Sequence, residues 1–159
     1  MNSEKEIKKQ LIKQLQGGEA YLSIAKFVDE IPFEEIGKRP QSLPYSFYEL
    51  FYHIHYAQKD IIEYCSAEEY QNANWPDDYW PKKVSPENEE EWEDLKADYF
   101  ECRKDFEDFI LDPKNKLMEP VENSENHTLL RELMLVIEHT SYHTGQLIVI
   151  LRLLGLHKS

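Results

Sequence analysis

Residues 128–154 read TLLRELMLVIEHTSYHTGQLIVILRLL, a long run without proline in which apolar and polar side chains recur with the period of a helix. Val136, Leu147 and Leu154 fall on one side of that helix, because steps of three or four residues, or sums of such steps, separate them. Gly155 follows directly and is typical of the left-handed residue that ends a helix. The run therefore predicts an amphipathic helix with one buried face.

Three further segments upstream show the same periodicity, and proline-rich or polar stretches separate them. The predicted helices extend from about Glu4 to Asp29, from Ser46 to Cys65, from Ser85 to Asp112, and from Thr128 to Leu154. No strand pattern, internal repeat or Gly/Ser linker is visible in the sequence. We expect an all-α protein with a single domain over residues 1–159, in which these helices form a four-helix bundle.

Local signals refine the ends of these helices. Ser46 and Glu49 have the spacing of a capping box at the start of the second helix. Ser85 and Pro86 have the residue types of an N-cap and a first helical position, which predicts the start of the third helix. Gly18 interrupts the first helix on its apolar side, where the missing side chain is expected to admit a neighbouring helix or a ligand, close packing being the favoured explanation.

The charge balance excludes one class of partner. The chain has 18 Lys and Arg against 31 Asp and Glu, for a net charge of -13, and no stretch gathers the basic residues that binding to phosphates requires. The longest strongly apolar stretch, residues 147–156, is about half the length needed to cross a bilayer. The first ten residues lack the apolar region of a secretory signal. We expect a cytoplasmic protein that binds neither nucleic acid nor a membrane.

The two cysteines lack the spacing of a metal or redox motif. Cys65 and Cys102 lie on helix stripes and are expected to be packing thiols in a reducing compartment. A chain of 159 residues buries enough surface to fold without disulfides or a structural metal. A metal ion, if one is bound, is therefore free to serve a function.

The histidines are the residues that point to chemistry. His139 and His143 are one turn apart on the buried side of the last helix, so their rings reach the same point. His53 lies on the apolar stripe of the second helix, together with Leu50 and neighbouring residues. His55 is rotated from His53 by roughly 200° and is expected to face solvent. His53 is thus the natural third member of the group.

Three imidazoles on two facing helices form a coherent ligand set for zinc, nickel or a similar divalent ion. Three protein ligands leave a coordination position open, as in catalytic metal sites, where water or a thiol can be activated. The alternative is a non-catalytic helical bundle that binds a partner, in which the histidines are hydrogen-bonded packing groups or the metal is structural. Both interpretations stay open at the level of the sequence.

Several residues lie near this group. Gln58, Tyr142 and Gln146 flank the histidines by one turn or less and are expected to orient the ligands or to bind substrate. The loop at residues 75–81, WPDDYWP, has proline near both ends and three aromatic residues, which predicts an ordered loop. Such a loop either covers the mouth of a pocket or caps the bundle, and capping is the interpretation we favour here.

The sequence resembles the DinB-like family. The resemblance lies in residues 44–63, 75–81, 138–146 and 151–155, and it extends over nearly the whole chain. It implies a bacterial, cytoplasmic four-helix bundle, commonly a homodimer, that holds a divalent metal such as zinc or nickel. The metal triad of the family maps onto His53, His139 and His143 of this sequence.

The resemblance does not imply a single reaction. Similar proteins include thiol-dependent S-transferases and isomerases that use bacillithiol or mycothiol, and proteins described as metal-dependent hydrolases. The expectation is a metal-dependent enzyme that acts on a small-molecule substrate, with a thiol such as bacillithiol or water as the activated group. For the homodimer, we expect the surface formed by Phe47, Tyr48 and Phe51 to bury a partner.

Overall fold

The computed structural model describes residues 3–158, and these residues form five α-helices, three short 3₁₀ segments and no β-strand. The helices are α1 (Ser3–Gln16), α2 (Ile24–Glu30), α3 (Phe47–Ser66), α4 (Glu89–Leu111) and α5 (Leu129–Leu153). The all-α prediction is therefore confirmed. Each of the four long helices packs against two others, in the cyclic order α1, α5, α3, α4.

The predicted first helix is wrong in its length, because it is two helices. α1 ends at Gln16, and the backbone of Gly17 and Gly18 then adopts φ angles of 73° and 90°. These are left-handed values, which glycine tolerates and other residues rarely do. A Cβ atom added at Gly18 would meet nothing within 4 Å, so close packing does not explain this glycine. The turn between α1 and α2 therefore needs glycine at position 18 for its left-handed backbone conformation and not for its small size.

The start of α3 agrees with the predicted capping box. The Ser46 side chain accepts a hydrogen bond from the Glu49 N–H, and the Glu49 carboxylate accepts one from the Ser46 N–H at 2.7 Å. The start of α4 does not agree with its prediction. Its N-cap is Asn88, whose side-chain oxygen accepts a hydrogen bond from the Glu91 N–H at 2.9 Å. The segment before it is bound to the start of α3, where the Ser46 hydroxyl donates to the Val84 carbonyl at 2.6 Å. Ser85 therefore lies outside the helix.

The last helix agrees with the sequence at both ends. Thr128 is the N-cap of α5, and its hydroxyl oxygen accepts a hydrogen bond from the Arg131 N–H. Gly155 follows the helix with a φ of 74°, which is the predicted left-handed cap. Among residues 3–158, no helix has the length and apolar character to span a membrane, and this includes α5.

The first turns of α3 lie in the core. Phe47, Tyr48 and Phe51 are 0%, 3% and 0% exposed, and the rings of Phe47 and Phe51 contact Trp92 of α4 edge to face. The prediction that these three residues form a partner-binding surface is therefore wrong. The reason is that α3 is covered on two sides, by α4 and by α5, so a second apolar face is buried within the same chain.

Both cysteines have the environment of packing thiols. Cys65 is buried, and burial raises the pKa of its thiol to about 12. Burial also raises the pKa of the partly exposed Cys102 thiol. A thiol with a raised pKa is a poor nucleophile at neutral pH. The structure thus agrees with the interpretation that neither cysteine is catalytic.

Candidate metal centre

Three histidine rings from α3 and α5 meet between these helices. The Nε2 atom of His53 lies 3.2 Å from Nε2 of His143 and 3.1 Å from Nε2 of His139. One ring nitrogen from each residue lies within 4.8 Å of the other two, so the group could hold one metal ion. The long pairing of α3 with α5 brings these residues together across 86 or more positions of sequence.

The hydrogen bonds at the far side of two rings determine which nitrogen carries the proton. Nδ1 of His53 lies 3.2 Å from the Tyr79 carbonyl oxygen, and Nδ1 of His143 lies 2.6 Å from the Gln146 side-chain oxygen. Since an oxygen of this kind can only accept, each Nδ1 carries the hydrogen and donates it. The Nε2 atoms of His53 and His143 are then both unprotonated, and their lone pairs point into the same space.

This arrangement fits a divalent cation. Two lone pairs at 3.2 Å, with no hydrogen between them, repel each other, and a cation placed between them converts that repulsion into coordination. Nitrogen ligands of tetrahedral zinc, at bond lengths of about 2.0–2.1 Å, are about 3.3 Å apart, close to the separations found here. The carbonyl and amide partners of the Nδ1 atoms are typical of metal-binding histidines.

The rings are also held in the neutral form that binds metals. Burial, together with the neighbouring His143, lowers the pKa of His53 to about 4. Burial and the two neighbouring histidines lower the pKa of His139 to about 3, and burial lowers the pKa of His143. Protons therefore compete weakly with a metal ion for these nitrogens at neutral pH.

The aromatic loop lies against the histidines. The Trp80 ring stacks on the His53 ring with centroids 4.3 Å apart and an angle of 3° between planes. The Tyr79 hydroxyl donates to Asp60 of α3 at 2.6 Å, which ties the loop to the same helix. The loop therefore contacts the histidine group, as the first of the two interpretations expects, and its Trp80 side chain also packs against the hydrophobic core. Helix periodicity carries no information about where a loop returns, so the sequence did not reveal this contact.

The three flanking residues have different environments. Gln146 holds His143 through its side-chain oxygen, as described above. Tyr142 is 64% exposed, and its ring lies 4.8 Å from that of His143. Gln58 instead donates to the Tyr99 carbonyl and accepts from Arg103, so both hydrogen bonds of its amide are to residues of α4. The expectation that Gln58 orients the histidines is corrected accordingly.

His55 is buried, contrary to the prediction. Its side chain is 9% exposed and faces α4, where its ring lies 6.5 Å from that of Tyr99. His55 does point away from His53, which faces α5, but that side of α3 is covered by α4 and does not face solvent. Its Nδ1 atom has no hydrogen-bond partner within residues 3–158. His55 therefore takes no part in the histidine group.

Sequence reasoning missed the Tyr79 carbonyl and the Trp80 ring as contacts of His53. A backbone carbonyl has no signature in a sequence, because every residue carries one. The pair of prolines around three aromatic residues was the one available signal, and it indicated order without indicating location.

Comparison with protein families identifies the class of this chain. The model of the DinB family matches residues 9–159, so the chain belongs to the DinB family. Comparisons with curated proteins and with solved structures find no match.

Proposed function

We propose that this protein is a metal-dependent enzyme in which His53, His139 and His143 bind one zinc or nickel ion and a low-molecular-weight thiol, such as bacillithiol, is transferred to an electrophile. The observation that carries the proposal is the convergence of three Nε2 atoms, with that of His53 lying 3.2 Å from that of His143 and 3.1 Å from that of His139. We also infer that α1, α3, α4 and α5 form a four-helix bundle, since each packs against two of the others.

Three ligands leave room for a fourth group, which is the requirement for catalysis rather than structure. When bound, a divalent ion lowers the pKa of a thiol and so supplies a thiolate at neutral pH. The chain itself supports this by orientation. The Tyr79 carbonyl and the Gln146 side chain hold two of the rings, and Trp80 covers one face of His53 and excludes water from it.

The transfer balances without a further reactant. The thiol proton passes to solvent, the sulfur forms a bond to an electrophilic carbon, and the leaving group departs with the electrons of the bond that breaks. The chain needs to position the sulfur and the carbon, and it does not need to supply an oxidant or a reductant.

Thiol activation fits the surroundings of the histidines better than hydrolysis. Within residues 3–158, the hydrogen bonds of the three rings involve one another, a backbone carbonyl and an amide side chain, and none involves a carboxylate. A free thiol ionises with a pKa of about 8.5, whereas water has a pKa of about 15.7. The pKa of a thiol therefore has to be lowered much less than the pKa of water before the group ionises at neutral pH.

Metal analysis of purified protein tests the binding site. We expect about one equivalent of metal in the wild-type protein after loading with zinc or nickel, and loss of that metal in His143→Ala. His55→Gln is the matched control, because His55 lies on α3 near His53 but outside the group. Equal metal content in wild-type protein and His143→Ala contradicts the proposed site.

Thiol consumption tests the reaction. Metal-loaded protein is incubated with bacillithiol and 1-chloro-2,4-dinitrobenzene, and the S-conjugate is measured by absorbance against a metal-free sample. We expect metal-dependent conjugation that His143→Ala abolishes. Metal-dependent hydrolysis of ester or amide substrates without conjugation favours a hydrolase, and one bound metal with neither activity favours the non-catalytic bundle.

A further inference from the structure

Two exposed aromatic side chains stand beside the histidine group. Trp75 is 69% exposed and Tyr142 is 64% exposed, which places both among the most exposed large hydrophobic residues that the structure describes. Trp75 comes from the loop after α3 and lies 6.3 Å from His53 between ring centroids. Tyr142 comes from α5 and lies 4.8 Å from His143. Two separate elements therefore bring an aromatic ring to the same site.

These rings are held in place although solvent surrounds them. Trp75 packs edge to face on Tyr79 with centroids 5.0 Å apart, and Asp60 anchors Tyr79. Asn74, the residue before Trp75, donates its N–H to Asp78 at 2.8 Å. Tyr142 projects from the middle of a long helix. Single exposed apolar residues are common on protein surfaces, but two exposed aromatic rings beside one group of candidate ligands are typical of a ligand contact.

We propose that Trp75 and Tyr142 bind a planar aromatic group of the electrophilic substrate and thereby favour aromatic over aliphatic electrophiles. This inference rests on the proposed function, since it names the substrate class of the same site. Aromatic rings bind planar groups by stacked or edge-to-face contacts, and both are open to a ligand here because the two side chains are mostly exposed.

A kinetic comparison tests the selectivity. The metal-loaded full chain is assayed with bacillithiol and either 1-chloro-2,4-dinitrobenzene or iodoacetamide, which is uncharged and aliphatic. We expect Trp75→Ala and Tyr142→Ala each to lower the kcat/KM ratio of the aromatic to the aliphatic electrophile by about 5- to 10-fold, through KM. Trp75→Phe and Tyr142→Phe should restore most of the ratio. Met134→Ala, which removes another exposed apolar side chain of α5, should leave it unchanged.

A binding measurement separates this inference from the proposed reaction. 1,3-Dinitrobenzene, which is planar and lacks the leaving group, is titrated into metal-loaded protein by calorimetry. We expect binding that weakens by about 5- to 10-fold in each alanine variant and by more in the double variant. Absence of binding, or equal binding by wild-type and double-variant proteins, overturns the inference. Binding that depends on both residues, without any thiol consumption, supports the aromatic site and overturns the transferase instead.

Discussion

Arg103 with its partners and the histidine group are two buried polar clusters that contact α5. They differ in whether each donor in the cluster has an acceptor and each acceptor a donor. Arg103 is 7% exposed and donates to the Gln58 side chain, the Leu15 carbonyl and the Tyr99 hydroxyl. Every one of these partners offers an oxygen to a guanidinium that has only donors. In the histidine group, by contrast, His53 and His143 present lone pairs to each other at 3.2 Å.

The difference separates a structural cluster from a binding site. The Arg103 cluster is complete within the chain, because its donors and acceptors are complementary. Between His53 and His143, the histidine group has two acceptors and no donor, so a cation could bind there. Buried polar groups that cannot satisfy one another indicate a ligand, whereas burial alone does not.

The largest effect is expected at the complete cluster. Arg103→Ala leaves the Gln58 side chain and the Leu15 carbonyl without their partner, and should lower the free energy of unfolding by about 3–5 kcal/mol. Urea denaturation measures this loss. Metal content per folded molecule should not change, because Arg103 donates to none of the three histidines. A loss below about 1 kcal/mol would show that this cluster is not a structural one.

A smaller stabilisation is expected from metal at the incomplete cluster. Zinc at about 100 times its dissociation constant should raise the free energy of unfolding of the wild-type protein by about 2.7 kcal/mol. His139→Ala should lose this gain because it removes one of the three candidate ligands, and its metal-free stability provides the reference. Denaturation with and without zinc measures both quantities. An equal gain in the variant would contradict the assignment of His139 as a ligand.

A partner of one ligand should matter less than the ligand itself. Gln146→Leu removes the acceptor that holds Nδ1 of His143, and metal affinity should fall by about 10-fold, within the range known for such partners. Competition with a chromogenic chelator measures the affinity. Gln146→Glu keeps an acceptor at that position and should retain tight binding. Unchanged affinity in Gln146→Leu would show that the protein does not need this contact.

The smallest effect on stability is expected at Glu49, a carboxylate whose hydrogen-bond donors lie within the chain. Burial alone would raise the pKa of Glu49, but hydrogen bonds from Arg39 and from the Ser46 N–H outweigh it, and the pKa lies below its ordinary value of 4.5. The resulting stability is present above pH 4.5 and is lost as the pH falls through the lowered pKa. Glu49→Gln should cost about 1 kcal/mol at pH 7.

Denaturation of wild-type and Glu49→Gln proteins between pH 7 and pH 3 checks the sign. The two unfolding free energies should converge at the acid end of this range, because the wild-type carboxyl then becomes protonated. A difference that grows as the pH falls would contradict the lowered pKa.

The sequence predicted those features that depend on neighbours along one helix. The capping box of α3, both ends of α5 and the shared face of His139 and His143 follow from spacings of three or four residues. The first helix was predicted too long, since a Gly-Gly pair can either continue a helix or end it, and the tertiary fold decides whether the chain turns there. The predicted partner-binding surface on α3 failed for a related reason, because periodicity shows that a face is apolar without showing what covers it.

Local spacing and composition alone determined the all-α class, the family and the histidines that share a helix face, because each of these rests on the helical period or on short motifs. Tertiary structure alone decided that the loop at residues 75–81 returns to His53, that His55 meets α4, and that two Nε2 lone pairs face each other. Those features depend on contacts between distant residues, and such contacts are set by how whole helices pack.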